Sequence, residues 1–247
     1  MLRICLWLFF ILATASATAQ KSKAVKAKLT EHTIVKDTAG NVLPAGIWQQ
    51  LARNSNYTLY PVDASLEQSD FVIRQLSESE KAAQLDKMPR PQETKAFKTG
   101  KPFGAFNDKD LAGNTYNDKD LKGKVVVINF WFINCPPCRM EIPELNALVE
   151  KYKEKSDVVF LAVALDGKYE LQQFLQMMPF NYNIIANGQY MARKFGVSAF
   201  PTHVVVDREG LVAFHTAGLA RNTVHWVQKS IEKALSQPAA ASVVTSH

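Results

Sequence analysis

Residues 129–143 read Asn-Phe-Trp-Phe-Ile-Asn-Cys-Pro-Pro-Cys-Arg-Met-Glu-Ile-Pro. Ahead of them, Val125-Val126-Val127-Ile128 is apolar at every position. That is the pattern of a central strand buried on both faces, since a half-exposed strand alternates. Behind them, Ile142, Leu145, Leu148, Val149 and Tyr152 recur at helical spacing. The stretch therefore predicts a buried strand ending at Trp131, a short loop, and a helix opening at the Cys-Pro-Pro-Cys run. At a helix N-terminus, orphan N–H groups and the positive end of the dipole stabilise an anion. Cys135 is thus expected to ionise below the free-thiol value of ~8.5 and to act as the nucleophile. Pro137 suits a first helical turn, where no donor is needed. Cys138, one turn further in, is expected to be more buried and to serve as the resolving thiol.

Downstream, Val197-Ser198-Ala199-Phe200-Pro201-Thr202 leads into the apolar run His203–Val206. A proline at the start of a sheet strand is unusual, and a cis Phe200–Pro201 bond is the expected reason. Strand signals at 124–131, 158–165, 202–207 and 211–216 alternate with helical patterns at 136–153, 168–177, 188–195 and 221–235. The alternation predicts an α/β sandwich around a central mixed sheet.

Upstream, residues 20–95 read as a small N-terminal α+β module with no assignable chemistry. Its expected elements are strands near 31–36 and 57–62 and helices at 44–53 and 77–87. Met88-Pro89-Arg90-Pro91 breaks the chain, and a polar linker leads into the larger domain at 96–236. Asn107–Leu111 and Asn117–Leu121 both read Asn-Asp-Lys-Asp-Leu. The spacing fails the calcium-loop pattern, so turn and helix-cap use is expected. Residues 1–19 carry Arg3, a ten-residue apolar run and Ala17-Thr18-Ala19, the pattern of a cleaved signal peptide, with an uncleaved N-terminal membrane anchor as the alternative. Residues 237–247 are expected to be a loose tail.

The whole chain has 247 residues, with 29 Lys and Arg against 23 Asp and Glu, 47% apolar and 21% charged residues. That balance excludes disorder and low complexity. The lysine-rich start at 20–30 lacks interleaved aromatics and does not argue for nucleic acid. Loss of the leader would remove Cys5 and leave two cysteines. In an exported protein, two cysteines three apart form either a redox pair or half of a metal site. Zinc needs four ligands and one CxxC supplies two, with no paired-histidine motif to complete the set.

Taken together, Trp131-x-x-x-Cys-Pro-Pro-Cys-Arg-x-Glu-x-Pro, followed by Val-x-x-Phe-Pro-Thr, resembles the thioredoxin superfamily and, within it, the exported TlpA/ResA-like disulfide reductases. Pro143 and the Lys122-Gly123-Lys124 lead-in extend the likeness across residues 101–236. The resemblance implies a thioredoxin fold with an added N-terminal hairpin and dithiol/disulfide exchange outside the cytoplasm, in the periplasm. It also implies catalytic Cys135, Cys138 and Pro201, with Glu141 in the place of a subgroup carboxylate able to take the Cys138 proton. Trp131, Pro136, Pro137 and Phe200 are expected to contact substrate. No cofactor is implied beyond the redox-active Cys135–Cys138 pair. Expected partners are protein disulfides and a membrane-embedded thiol electron donor. Two features depart from the wider pattern: Asn129 stands where thioredoxins carry a buried Asp, and Asn134 stands where a Trp usually precedes the first Cys. The rival readings are a disulfide-forming oxidase and a metal or cytochrome-assembly chaperone that uses the two thiols as ligands, with His203 as its one nameable third ligand.

Overall fold

The computed structural model of the chain describes residues 27–53 and 56–237. The expected signal peptide at 1–19, and the expected tail beyond Gln237, lie outside the described residues. Two compact units divide between Leu76 and Ser77, ahead of the 95/96 boundary read from the linker composition.

The first unit holds β1 (Val35–Lys36), α1 (Ala45–Arg53), β2 (Tyr57–Pro61) and β3 (Phe71–Gln75). β3 is the middle strand, parallel to β1 and antiparallel to β2. Its Phe71 and Ile73 are buried with Val35 in a small core. The sequence reading missed β3, because three apolar residues within a polar stretch carry too short an alternation to register.

The second unit begins with α2 (Glu78–Asp86), started by a reciprocal capping box between Ser77 and Glu80. The hairpin β4 (Asn107–Lys109) and β5 (Thr115–Asn117) then precedes α3 (Asp118–Leu121). The repeated acidic motif builds this hairpin and its exit. Asp110 accepts the Asn114 amide and side chain at 2.9 Å each and the Tyr116 hydroxyl at 3.1 Å. Asn117 caps α3, and Asp118 accepts the Phe106 amide at 2.8 Å.

Next come β6 (Val125–Trp131), α4 (Pro136–Lys151), β7 (Val158–Ala164), α5 (Lys168–Met177), β8 (Asn183–Ile185) and α6 (Gln189–Lys194). The chain closes with β9 (Thr202–Val206), β10 (Val212–Ala217) and α7 (Thr223–Ser236). The sheet order is β10-β9-β6-β7-β8, with β6, β7 and β8 parallel and β9 and β10 antiparallel to their neighbours. This is the expected mixed sheet of the thioredoxin fold.

β6 is buried along its whole length. Val125, Val127 and Trp131 face a core completed by α4, α5 and α7. Val126, Ile128 and Phe130 face a second core with Phe97, Phe103, Phe106 and Met191. Burial on both faces explains the unbroken apolar run. Among the described residues no helix is long and apolar enough to cross a membrane.

Candidate active site

β6 carries the chain to the C-terminal end of the central strand, and the loop after Trp131 turns it into α4. Cys135 is the N-cap of α4, with φ −98° and ψ 100°. Its Sγ accepts the Cys138 N–H at 3.2 Å, and its carbonyl accepts the Arg139 N–H at 3.1 Å. Pro136 and Pro137 fill the first two helical positions, where a missing N–H costs nothing. Pro143 lies within α4 and does not end it. Cys135 and Cys138 are joined as a disulfide with their Cα atoms 5.3 Å apart.

In this oxidised state both cysteines are buried, Cys135 2% and Cys138 1% exposed. The expected contrast in burial between the two is absent. The bond draws the two sulfurs together over the helix end, and Phe132, Ile133 and Phe200 pack against the core that includes them. Phe132 and Phe200 meet edge to face, with ring centroids 5.4 Å apart.

The Phe200–Pro201 peptide bond is cis, as expected. Thr202 pairs with Phe130 across the β6–β9 ladder, so Pro201 lies level with the end of β6, where the Cys loop begins. Thr202 Oγ1 donates to the Ala199 carbonyl at 2.8 Å, and Gly218 donates to the Pro201 carbonyl at 2.8 Å. These bonds tie down both sides of the proline.

Trp131, expected among the substrate contacts, is fully buried, with its ring 5.5 Å from Phe174 and 5.4 Å from Phe180. It belongs to the core, because the β6 pleat turns it inward with Val127. Pro136 is exposed, and Pro137 and Phe200 are half-buried.

Glu141 is 4% exposed and shares the inner face of α4 with Cys138. Its Oε2 lies 2.8 Å from Nε2 of His203, which is itself fully buried on β9. His203 pairs with Asn129 in the antiparallel register, so the two side chains leave the sheet on the same face. Burial and the charge of Glu141 push the Tyr182 phenol well above its usual value. The layer under the disulfide is thus polar at Asn129, Glu141 and His203, within an otherwise apolar core. The ring of His203 is engaged with Glu141. Among the described residues no three His, Cys, Asp or Glu side chains gather as a metal site.

Sequence reasoning missed three supports of this site: Asp166, Phe132, and the pairing of His203 with Glu141. Asp166 accepts the Ile133 N–H, and Leu165 donates to the Trp131 carbonyl. The signal for His203 was present but weak: a histidine in a buried strand needs a partner.

The AhpC/TSA family matches residues 99–215. The thiol-disulfide oxidoreductase ResA of Bacillus thuringiensis (strain Al Hakam) is 32% identical over 120 residues, covering 48% of this chain and 69% of that protein. ResA of Halalkalibacterium halodurans is 29% identical over 118 residues, covering 47% of this chain and 67% of that protein. Among solved structures, a Chlorobium tepidum protein provisionally named thiol:disulfide interchange protein DsbE superposes with a TM-score of 0.52 at 28% identity. It covers 56% of this chain and 99% of its own.

Proposed function

The chain belongs to the thioredoxin-like family of the ResA thiol-disulfide oxidoreductases, and from that premise we propose that it works as an exported, periplasmic reductase of protein disulfides. The Cys135 thiolate attacks a substrate disulfide and becomes covalently joined to one sulfur, while the other leaves as a thiolate. Cys138 gives its proton to Glu141 and attacks Cys135 Sγ. The remaining substrate sulfur leaves, and the CPPC pair holds the disulfide. A membrane-embedded dithiol reverses these steps and restores the reduced pair. Pro201 has no N–H to compete for the sulfurs, and Phe200, Pro136 and Pro137 offer the substrate an apolar lip. The leader pattern at residues 1–19 supports the location.

The observation that carries the direction is the setting of Cys135. Its sulfur takes the Cys138 amide at the start of α4, while the nearby Arg139 guanidinium lies over the Phe174 ring. A helix N-terminus supplies about 0.3–1 kcal/mol to a charge at exposed sites and up to ~2 kcal/mol when partly buried. A two-electron couple moves by ~30 mV per 1.4 kcal/mol. That gain is too small to reach the oxidase range near about −120 mV and places the couple nearer the thioredoxin value of about −270 mV.

Equilibration of the purified protein with glutathione or dithiothreitol buffers tests this. A potential below about −200 mV is expected, and one above about −150 mV would promote the oxidase reading. In the same preparation, Cys135→Ser should abolish reduction of a model disulfide, and Cys138→Ser should accumulate mixed disulfides. Equal residual turnover in both variants would remove the assigned roles.

A further inference from the structure

The Glu141 carboxyl has two unlike oxygens. Oε2 meets His203 Nε2 at 2.8 Å, whereas Oε1 has no hydrogen-bond partner among the described residues. Glu141 follows Cys138 by three positions on α4, and both are buried, so the two side chains stand on one face of the helix. A carboxylate removed from water is costly unless a donor or an opposite charge meets it. His203 reaches it from a different element, the strand that follows Pro201. The strand that closes the substrate side of the site therefore also carries the partner of the acid beneath it.

We propose that His203 is the positioning residue of the resolving step. Through Nε2–H it holds the Glu141 carboxylate turned so that Oε1 receives the Cys138 proton. This rests on the proton role given to Glu141 above. In the step, the proton passes from Cys138 Sγ to Glu141 Oε1, and the freed electron pair forms the Cys135–Cys138 bond. The bond from Cys135 to the substrate sulfur breaks, and its pair leaves on that sulfur. Cys138 is oxidised and the substrate sulfur reduced. When a donor thiolate later opens the disulfide at Cys135, the leaving Cys138 sulfur recovers the proton from Glu141.

Stopped-flow mixing of the reduced protein with 5,5′-dithiobis(2-nitrobenzoate) separates the two events. The first thionitrobenzoate is released as Cys135 attacks, and the second as Cys138 resolves the mixed disulfide. His203→Leu should slow the second release about tenfold, the scale of a lost hydrogen bond to a charged group, and leave the first within about twofold. His203→Gln keeps an N–H donor at the reach of Nε2 and should recover most of the second rate. His203→Leu combined with Glu141→Gln should be no slower than Glu141→Gln alone, because both changes remove one unit.

Equal slowing of both releases by His203→Leu, a Gln variant as slow as the Leu variant, or multiplied defects in the double variant would overturn the proposal. Each of those results leaves the exchange reaction standing. A wild-type protein that releases no thionitrobenzoate would instead overturn the exchange reading, and the proposal with it. Loss of folding in the Leu variant leaves the decision to the Gln variant: a second release within about threefold of wild type supports the role, and a loss of tenfold or more rejects it.

Discussion

Asp166 Oδ2 accepts the backbone N–H of Ile133 at 2.7 Å, reaching back 33 residues to the loop that presents Cys135. The same residue accepts the Asn187 N–H at its carbonyl, at 2.9 Å. Asp166, two residues past the end of β7, thus ties the loop before α4 to the loop before α6. The attacking sulfur is therefore positioned from the neighbouring strand as well as from its own helix. A hydrogen bond to a charged acceptor is worth about 1.5–3 kcal/mol. Asp166→Ala should lower unfolding stability by about that much and slow attack by Cys135 roughly tenfold, because small misplacements of a reacting group are costly. Asp166→Asn keeps an acceptor oxygen and should lose less of both. Urea unfolding and the first release from the aromatic disulfide read the two effects, and wild-type behaviour in the Ala variant would discard the anchor.

Phe132, on the cysteine loop, and Phe200, just before Pro201, meet edge to face and pack against the core that includes both cysteines. An edge-to-face pair is worth about 0.5–1.5 kcal/mol beyond its buried area. Phe200→Ala should therefore reduce kcat/KM for reduction of insulin by about two- to tenfold. The loss should be smaller for a small aromatic disulfide, which needs only the sulfurs. Equal losses for the two substrates would mean that Phe200 shapes the cysteine loop and does not meet the substrate.

Most of the second unit was legible because its signals are local. The doubly apolar β6, the helical spacing behind Cys138 and the proline before Thr202 each announce themselves within a few residues, and their elements fall within two residues of the expected ends. β8 was missed because Asn183–Ile185 is three residues long, too short to show a period. The site was legible in its cysteines and its proline, and in Glu141 through the family pattern. Its supports were hidden because they come from distant elements brought together by register. Nothing near Asp166 in sequence points to Ile133, and nothing near His203 points to Glu141. Trp131 was misread for the reverse reason. Proximity to the cysteines in sequence suggested contact with substrate, while the alternation of the strand sends its ring into the core.

His215 offers a test on the other face of the sheet. It is buried on β10, opposite Val204 in the ladder, with its ring 6.4 Å from that of Phe97. Burial holds its imidazole below the usual histidine value; Glu93 opposes that shift and Arg90 adds to it. The folded protein therefore keeps His215 neutral where the unfolded chain, titrating near ~6.5, already takes up a proton. The unfolded state binds more protons in that interval, so stability rises with pH. The contribution is complete above about pH 6.5 and is lost as the pH falls from there through the lower folded-state value. Asp86, held below the usual carboxylate range by hydrogen bonds from His225 and Lys229, releases its share only at more acidic pH, below about 4. Between about pH 6.5 and 5 the Asp86 contribution is therefore unchanged, and comparison with a His215 variant separates His215 from the other histidines. Replacement by Phe keeps a ring beside Phe97 and removes the titration. The urea midpoint of the wild type should fall across that interval relative to that of His215→Phe, and parallel curves for the two proteins would show that the buried imidazole carries no pH dependence of stability.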